Sequence, residues 1–223
     1  MKKQNWMVST LVCLLSLTLI SEVSANQTKR AGKWEASLGA LYNTESTTYA
    51  DFGSNLNIED DFGWSLSVGY NVNPHLLLNF EWQLMKPTYT ATVVAEDQSN
   101  SVKTNRKMDL YNSQFNAIYN FSTDNFTPFI QAGVGWSYID SKIANGKPEG
   151  LCWYDPWWGY ICNQYQPTYH DTRFTYNVAA GFRYELENYA FIKVSYQQLF
   201  IDMLRSASVT DMGVYHIEIG SIF

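Results

Sequence analysis

Cys152 and Cys162 bracket Trp153, Tyr154, Trp157, Trp158 and Tyr160. Nine residues separate the two thiols. With no matching Cys or His pair nearby, that spacing suits a disulfide better than a metal site. The Asp155-Pro156 step supplies a turn between them. So many aromatic side chains in one loop have three readings. They are a rigid contact surface, because Trp and Tyr give area at low entropic cost. They are a small core packing the loop over whatever lies beneath it. Or they enter lipid headgroups.

A second set is ionic: Glu35, Glu81, Arg183, Glu185, Lys193, His216 and Glu218. All seven fall on one phase of an alternating pattern and so share one confined space. Charges removed from water need partners. The set is therefore either a structural ion-pair plug or the charged constriction of a narrow channel.

Acid–base chemistry has little material. The chain has three histidines, His75, His170 and His216. None has a nucleophile spaced to pair with it, and Asp140, Asp155, His170 and Asp171 form the one enzymatic seed. No catalytic residue is expected. Glu45, Asp51, Glu59, Asp60 and Asp61 fit no dedicated calcium loop and read as a solvated rim. Neither a metal nor a cofactor is expected.

The elements that position these residues have a period of two. DFGWSLSVGYNVNPHLLLNFEW, from Asp61 to Trp82, alternates large apolar with small polar residues and breaks once, at a tight turn. The beat recurs over Trp34–Tyr42, Tyr111–Phe121, Ile130–Tyr138, Arg173–Leu186, Ala190–Gln197 and Tyr215–Phe223. Links over 43–61, 87–108, 140–171 and 200–211 are long, and those over 71–75, 122–126 and 187–189 are short. Eight strands with long links at one end and tight turns at the other make an up-and-down barrel.

Residues 1–25 are separate. A basic MKK start, an apolar run from Met7 to Ile20 and small residues at Val23-Ser24-Ala25 read as a secretory signal cleaved after Ala25, with Cys13 discarded alongside. Residues 26–223 then form one barrel domain. Removal takes two Lys and one Glu from the 15 basic and 21 acidic residues, leaving 13 and 20, a net of −7. That balance argues against nucleic acid.

The large apolar face must point outward. An eight-stranded barrel is just wide enough inside for side chains to fill, and about five large residues per strand would overfill it. The opposite face carries Gly39, Gly63, Gly69, Gly133, Gly135, Gly181 and Gly220 among Ser, Asn and Gln. It lacks the dense Lys and Glu of a solvated surface. Aromatics gather near strand ends, as in membrane girdles. The apolar face bears charge only at its rims, Lys86 and Asp109. Lipid cannot satisfy an open sheet edge, so the first and last strands should pair. The fold expected is all-β: an eight-stranded antiparallel up-and-down transmembrane β-barrel.

The signal, the GYNVNPHLLLNFEW hairpin, the PFIQAGVGWSY and AAGFRYEL strands and the terminal Phe223 resemble the small outer-membrane β-barrel proteins of Gram-negative bacteria. Opacity-type proteins and the OmpA transmembrane domain stand nearest, with OmpX and OmpW types as cousins. The resemblance implies an integral outer-membrane location, with lipid and lipopolysaccharide around the barrel. It implies that Phe223 helps the barrel-assembly machinery recognise the last strand. The end reads EIGSIF, and Ser221 departs from the apolar residue usual there. No further domain is expected after Phe223. Both termini should be periplasmic and the four long loops external. The expected function is surface interaction of an adhesion-like or envelope-structural kind, with a host or envelope ligand meeting the aromatic loop. The alternative is a narrow porin-like conduit. A monomer is expected.

Overall fold

The structure is a computed structural model that describes residues 30–49, 55–94, 101–202 and 210–223. The expected signal, residues 1–25, and Asp51 lie outside the described residues. The strands in chain order are β1 (Trp34–Asn43), β2 (Ser46–Tyr49), β3 (Asn55–Ile58), β4 (Asp61–Asn71), β5 (Leu76–Met85), β6 (Thr88–Val94) and β7 (Ser101–Lys107). They continue with β8 (Asp109–Asn120), β9 (Phe126–Ala144), β10 (Glu149–Asp155), β11 (Gly159–Tyr165), β12 (Thr168–Glu185), β13 (Ala190–Ile201) and β14 (Thr210–Ile222). Eight of them close an antiparallel barrel in the order β1-β14-β13-β12-β9-β8-β5-β4.

Closure runs to the last residue. Phe223 donates its backbone N–H to the Trp34 carbonyl at 2.8 Å and accepts the Trp34 N–H at 3.0 Å. The seam continues through Ser37↔Gly220 and Gly39↔Glu218. No barrel edge is left for lipid to satisfy.

The period of two sets the faces. Along β4, Phe62, Trp64, Leu66, Val68 and Tyr70 are exposed, whereas Ser65, Ser67 and Asn71 are buried. Two aromatic belts cap this outer face. On five strands a lower aromatic and an upper one stand eight positions apart: Trp34 and Tyr42, Tyr70 and Phe62, Tyr119 and Tyr111, Phe182 and Phe174, Phe223 and Tyr215. At ~3.3 Å per residue that is ~26 Å along a strand, or ~20 Å along the barrel axis at a ~40° tilt. The apolar band of outer-membrane barrels is ~25 Å tall. Neighbouring rings meet within each belt: Trp34–Tyr70 at 5.2 Å in the lower, Tyr42–Phe62 at 5.0 Å and Tyr196–Tyr215 at 5.0 Å in the upper.

The inner face needs small residues where strands crowd the axis. A side chain at Gly133 would collide with the Asn116 and Asn177 amides that meet over it.

Three of the long links are not plain loops. β6 and β7 continue the β5–β8 ladder, since Met85↔Leu110 is followed by Thr88↔Lys107. With β2 and β3 they form a four-stranded sheet. β10 and β11 form a separate two-stranded sheet. β9 and β12 run to Ala144 and Thr168, well past the expected ends at Tyr138 and Arg173. The reason is physical: a hairpin ladder, once paired, extends into water as readily as it spans lipid.

Candidate functional site

The lumen is built in layers, and Arg30 forms the first. It is fully buried just ahead of β1. Its guanidinium donates Nη1 to Glu185 at 2.9 Å, Nε to the Pro74 carbonyl at 2.8 Å, and Nη2 to the Ser122 carbonyl. One side chain thus ties the segment just ahead of β1 to two tight turns and to β12.

Above it, Arg183 reaches Glu185 at 2.9 Å and Glu35 at 2.8 Å. Its guanidinium lies 4.1 Å over the Phe191 ring. Lys193 sits 3.0 Å from Glu218 and 3.8 Å from Glu35. The Ser37 hydroxyl and the Asn71 amide donate to Glu218 and Glu35 at 2.6 and 3.1 Å. These ions are desolvated and are held by each other.

The next layer is amide-rich. Glu81 accepts from the Gln83 amide at 3.1 Å and from the Asn116 amide at 3.2 Å, with His216 Nδ1 at 3.4 Å. Gln83 goes on to Gln197, and Asn112 goes back to Gln83. Asn177 joins Gln114 and Asn116. The structure therefore gathers Glu35, Glu81, Arg183, Glu185, Lys193, His216 and Glu218 inside the barrel.

Sequence reasoning missed Arg30. The signal available was a shortage: Glu35, Glu81, Glu185 and Glu218 faced only Arg183 and Lys193, plus a histidine. A confined set of four carboxylates needed another cation.

It also missed a plug. Leu41, Met85, Leu110, Leu199, Ile201, Met212 and Val214, with Met108 just ahead of β8, fill the upper lumen, and Ile58 and Tyr89 extend the cluster into the overlying sheet. A smaller apolar cluster, Leu77, Ile118 and Phe129, lies near the turns. The lumen is thus not polar throughout. The clue was apolar residues standing on the wrong phase of the alternation, Leu41, Ile118 and Val214 among them.

The loop between β9 and β12 is a raised hairpin. Lys142, near the end of β9, and Gly146, between β9 and β10, take positive φ of 53° and 114° where the barrel ladder gives way to the separate β10–β11 sheet. Asn145 N–H to the Pro167 carbonyl at 2.6 Å closes the neck. Beyond it β10 adds about 20 Å of strand. Cys152 lies opposite Cys162 and the two are disulfide-bonded. At the tip, Asp155 Oδ1 accepts the N–H groups of Trp157 and Trp158 at 2.8 and 3.0 Å. Gly159, at a φ of 77°, supplies the left-handed residue that lets the strand return. Trp157 and Trp158 are 88% and 80% exposed, Tyr154 and Tyr160 75% and 73%, and Trp153 39%. These rings do not fold down as a core over the barrel.

The remaining candidates come together only in part. Asp140 faces His170 in the β9–β12 register, Asp171 pairs with Arg173, and Asp155 is committed to the hairpin turn. Glu45 accepts from Asn57, Asp60 from Tyr42, and Asp61 from the Lys86 backbone. Among the described residues no group of three or more His, Cys, Asp or Glu is placed to hold a metal.

At the rim above the upper belt, burial opposes ionisation of Asp140. The Lys142 backbone N–H, the Thr168 hydroxyl, the Lys142 ammonium and His170 outweigh it and hold the carboxyl below its usual range. Lys142 is raised, chiefly by its hydrogen bond to Asp109.

The family model for the outer membrane protein beta-barrel domain matches residues 11–216. The chain belongs to that family. It is an integral outer-membrane protein. Solved structures share the fold, two of them as follows. Neisserial surface protein A, from Neisseria, superposes with a TM-score of 0.57 at 14% identity, over 85% of this chain and 97% of that one. The outer membrane protein OprG of Pseudomonas aeruginosa gives 0.52 at 14% identity, over 87% and 97%. At such identity the likeness is one of fold. No curated protein matches the sequence.

Proposed function

We propose that this barrel is a surface-contact protein. It anchors in the outer membrane and presents the disulfide-closed aromatic hairpin to a partner outside the cell. The observation that carries the reading is the exposure of Trp157 and Trp158 at the tip of a stiff hairpin standing clear of the barrel. Exposed apolar patches on a folded protein mark interaction sites. The packed lumen supports it further, because layers of ion pairs, amides and apolar side chains leave the chemistry to the loops. In this reading the interior charges are structural, the protein works as a monomer without catalysis, and Phe223 serves the assembly machinery.

The test is adherence. Bacteria displaying the protein should bind cultured cells, and W157A/W158A should lose that binding while remaining folded and surface-exposed. Undiminished binding overturns the reading.

A narrow conduit is the second reading. His216 Nε2, Gln197 Nε2, Asn79 Oδ1 and Arg183 Nη2 are buried without a hydrogen-bond partner. Buried polar atoms of this kind recruit internal water. Water in the middle layer is compatible with conduction only if the plug above it opens.

A further inference from the structure

We infer that the hairpin tip docks into the headgroup region of a neutral, zwitterionic membrane facing the cell. This rests on the surface-contact reading and names its partner by chemistry.

Charge narrows the partner first. Between Glu149 and His170 the sequence has a single charged side chain, Asp155. Its carboxylate is already engaged by the N–H groups of Trp157 and Trp158. The tip has no Lys or Arg to hold a phosphate or sulfate, and no free carboxylate to attract a cationic surface. An uncharged tip complements a surface of zero net charge.

The distribution of rings narrows it further. In the ladder Tyr154 and Tyr160 are directly opposed and share the face of the Cys152–Cys162 disulfide. Trp153 and Ile161 are opposed on the other face. Trp157 and Trp158 occupy the turn itself. The aromatics therefore surround the tip. A flat ligand such as a sugar ring calls for rings on one face, whereas a surrounding medium calls for them on all sides. Trp and Tyr are the side chains that suit a membrane interface, with an apolar body and one polar group for the wet edge.

Rigidity supplies the last element. The disulfide, the Asp155 turn and Gly159 fix the tip before contact, so little order is lost on insertion. β10 and β11 form their own two-stranded sheet beyond the positive-φ residues Lys142 and Gly146 and make their contacts with each other, which leaves the tip free to meet a second surface.

The experiment uses the full barrel in nanodiscs and separate phosphatidylcholine vesicles with brominated acyl chains. Discs should float with the vesicles, and bromine should quench part of the tryptophan emission. Both signals should fall at least ten-fold in W157A/W158A, checked for folding by its heat-modifiable gel mobility. They should survive ~0.5 M salt, which screens charge, and gain nothing from added anionic lipid. Flotation no better than empty discs overturns the inference. So does flotation that is equal in the double variant or abolished by salt. If vesicles fail but cell adherence still needs Trp157 and Trp158, the lipid assignment alone falls, and neutral glycans are the next partner to assay. If adherence fails as well, the surface-contact reading falls with it.

Discussion

The lumen and the hairpin tip treat their side chains in opposite ways. Inside the barrel, charged groups such as Arg183, Glu35 and Lys193 are buried and paired. At the tip, Trp157 and Trp158 are exposed and touch little. In a water-soluble protein both would be anomalies. In a membrane barrel the first is ordinary structure, because the lumen is the side that lipid does not reach. Most exposed aromatics are ordinary too, since the two belts meet lipid. The rings of the hairpin follow the upper belt along the chain, beyond Tyr138 and the end of β9 at Ala144, and we propose that they meet a partner outside the cell. On the proposed reading, position relative to the belts separates aromatic residues that anchor from aromatic residues that make contact.

That contrast predicts unequal consequences. Arg183→Ala should do the most damage. It leaves Glu35 and Glu185 short of a partner, and breaking a buried pair costs about 3–5 kcal/mol. Urea unfolding in lipid vesicles measures it, and a loss under about 1 kcal/mol would show that water relieves the carboxylates.

Leu199→Ala, in the plug, should cost about 2–4 kcal/mol by the same assay, as core truncations do. A near-zero effect would mean that the upper lumen is loosely filled.

Cys152→Ser with Cys162→Ser should leave barrel unfolding within about 0.5 kcal/mol. It should release ~2–3 kcal/mol of local restraint in the chain-entropy model. Faster amide exchange confined to Glu149–Tyr165 would show this.

The smallest effect is at the rim. The Asp140 pKa is lowered in the fold, so its contribution is present above the unfolded value of ~3.9 and fades as pH falls through the folded one. The Lys142 pKa is raised, so its contribution is present below the unfolded value of ~10.4 and fades as pH rises past the folded one. Amide protection factors near Asp140 and Lys142, corrected for the intrinsic pH dependence of exchange, should therefore fall below about pH 4 and above about pH 10.5.

Much of this was legible in the alternation. Phe62 to Tyr70 and Leu76 to Trp82 announce their strands and outward face because lipid on one side and a narrow lumen on the other enforce the period. The upper halves of β9 and β12 were less legible. Past Tyr138 neither medium sorts the side chains, so the pattern fades while the ladder continues. β2, β3, β6 and β7 are hidden for the same reason. Arg30 lies outside any strand, and no period could place it. It is found only by asking what balances the buried carboxylates. The hairpin was visible as composition, but its exposure follows from β10 and β11 forming a sheet separate from the barrel, which no spacing of residues announces.

The central claim is that the barrel is a sealed anchor whose activity lies on its loops. Purified protein in a planar bilayer tests it most directly. The account predicts a flat current trace, with no unitary steps at either polarity. Reproducible steps of fixed size, altered by Leu199→Ala or by Glu218→Gln, would contradict it and make the lumen the functional site.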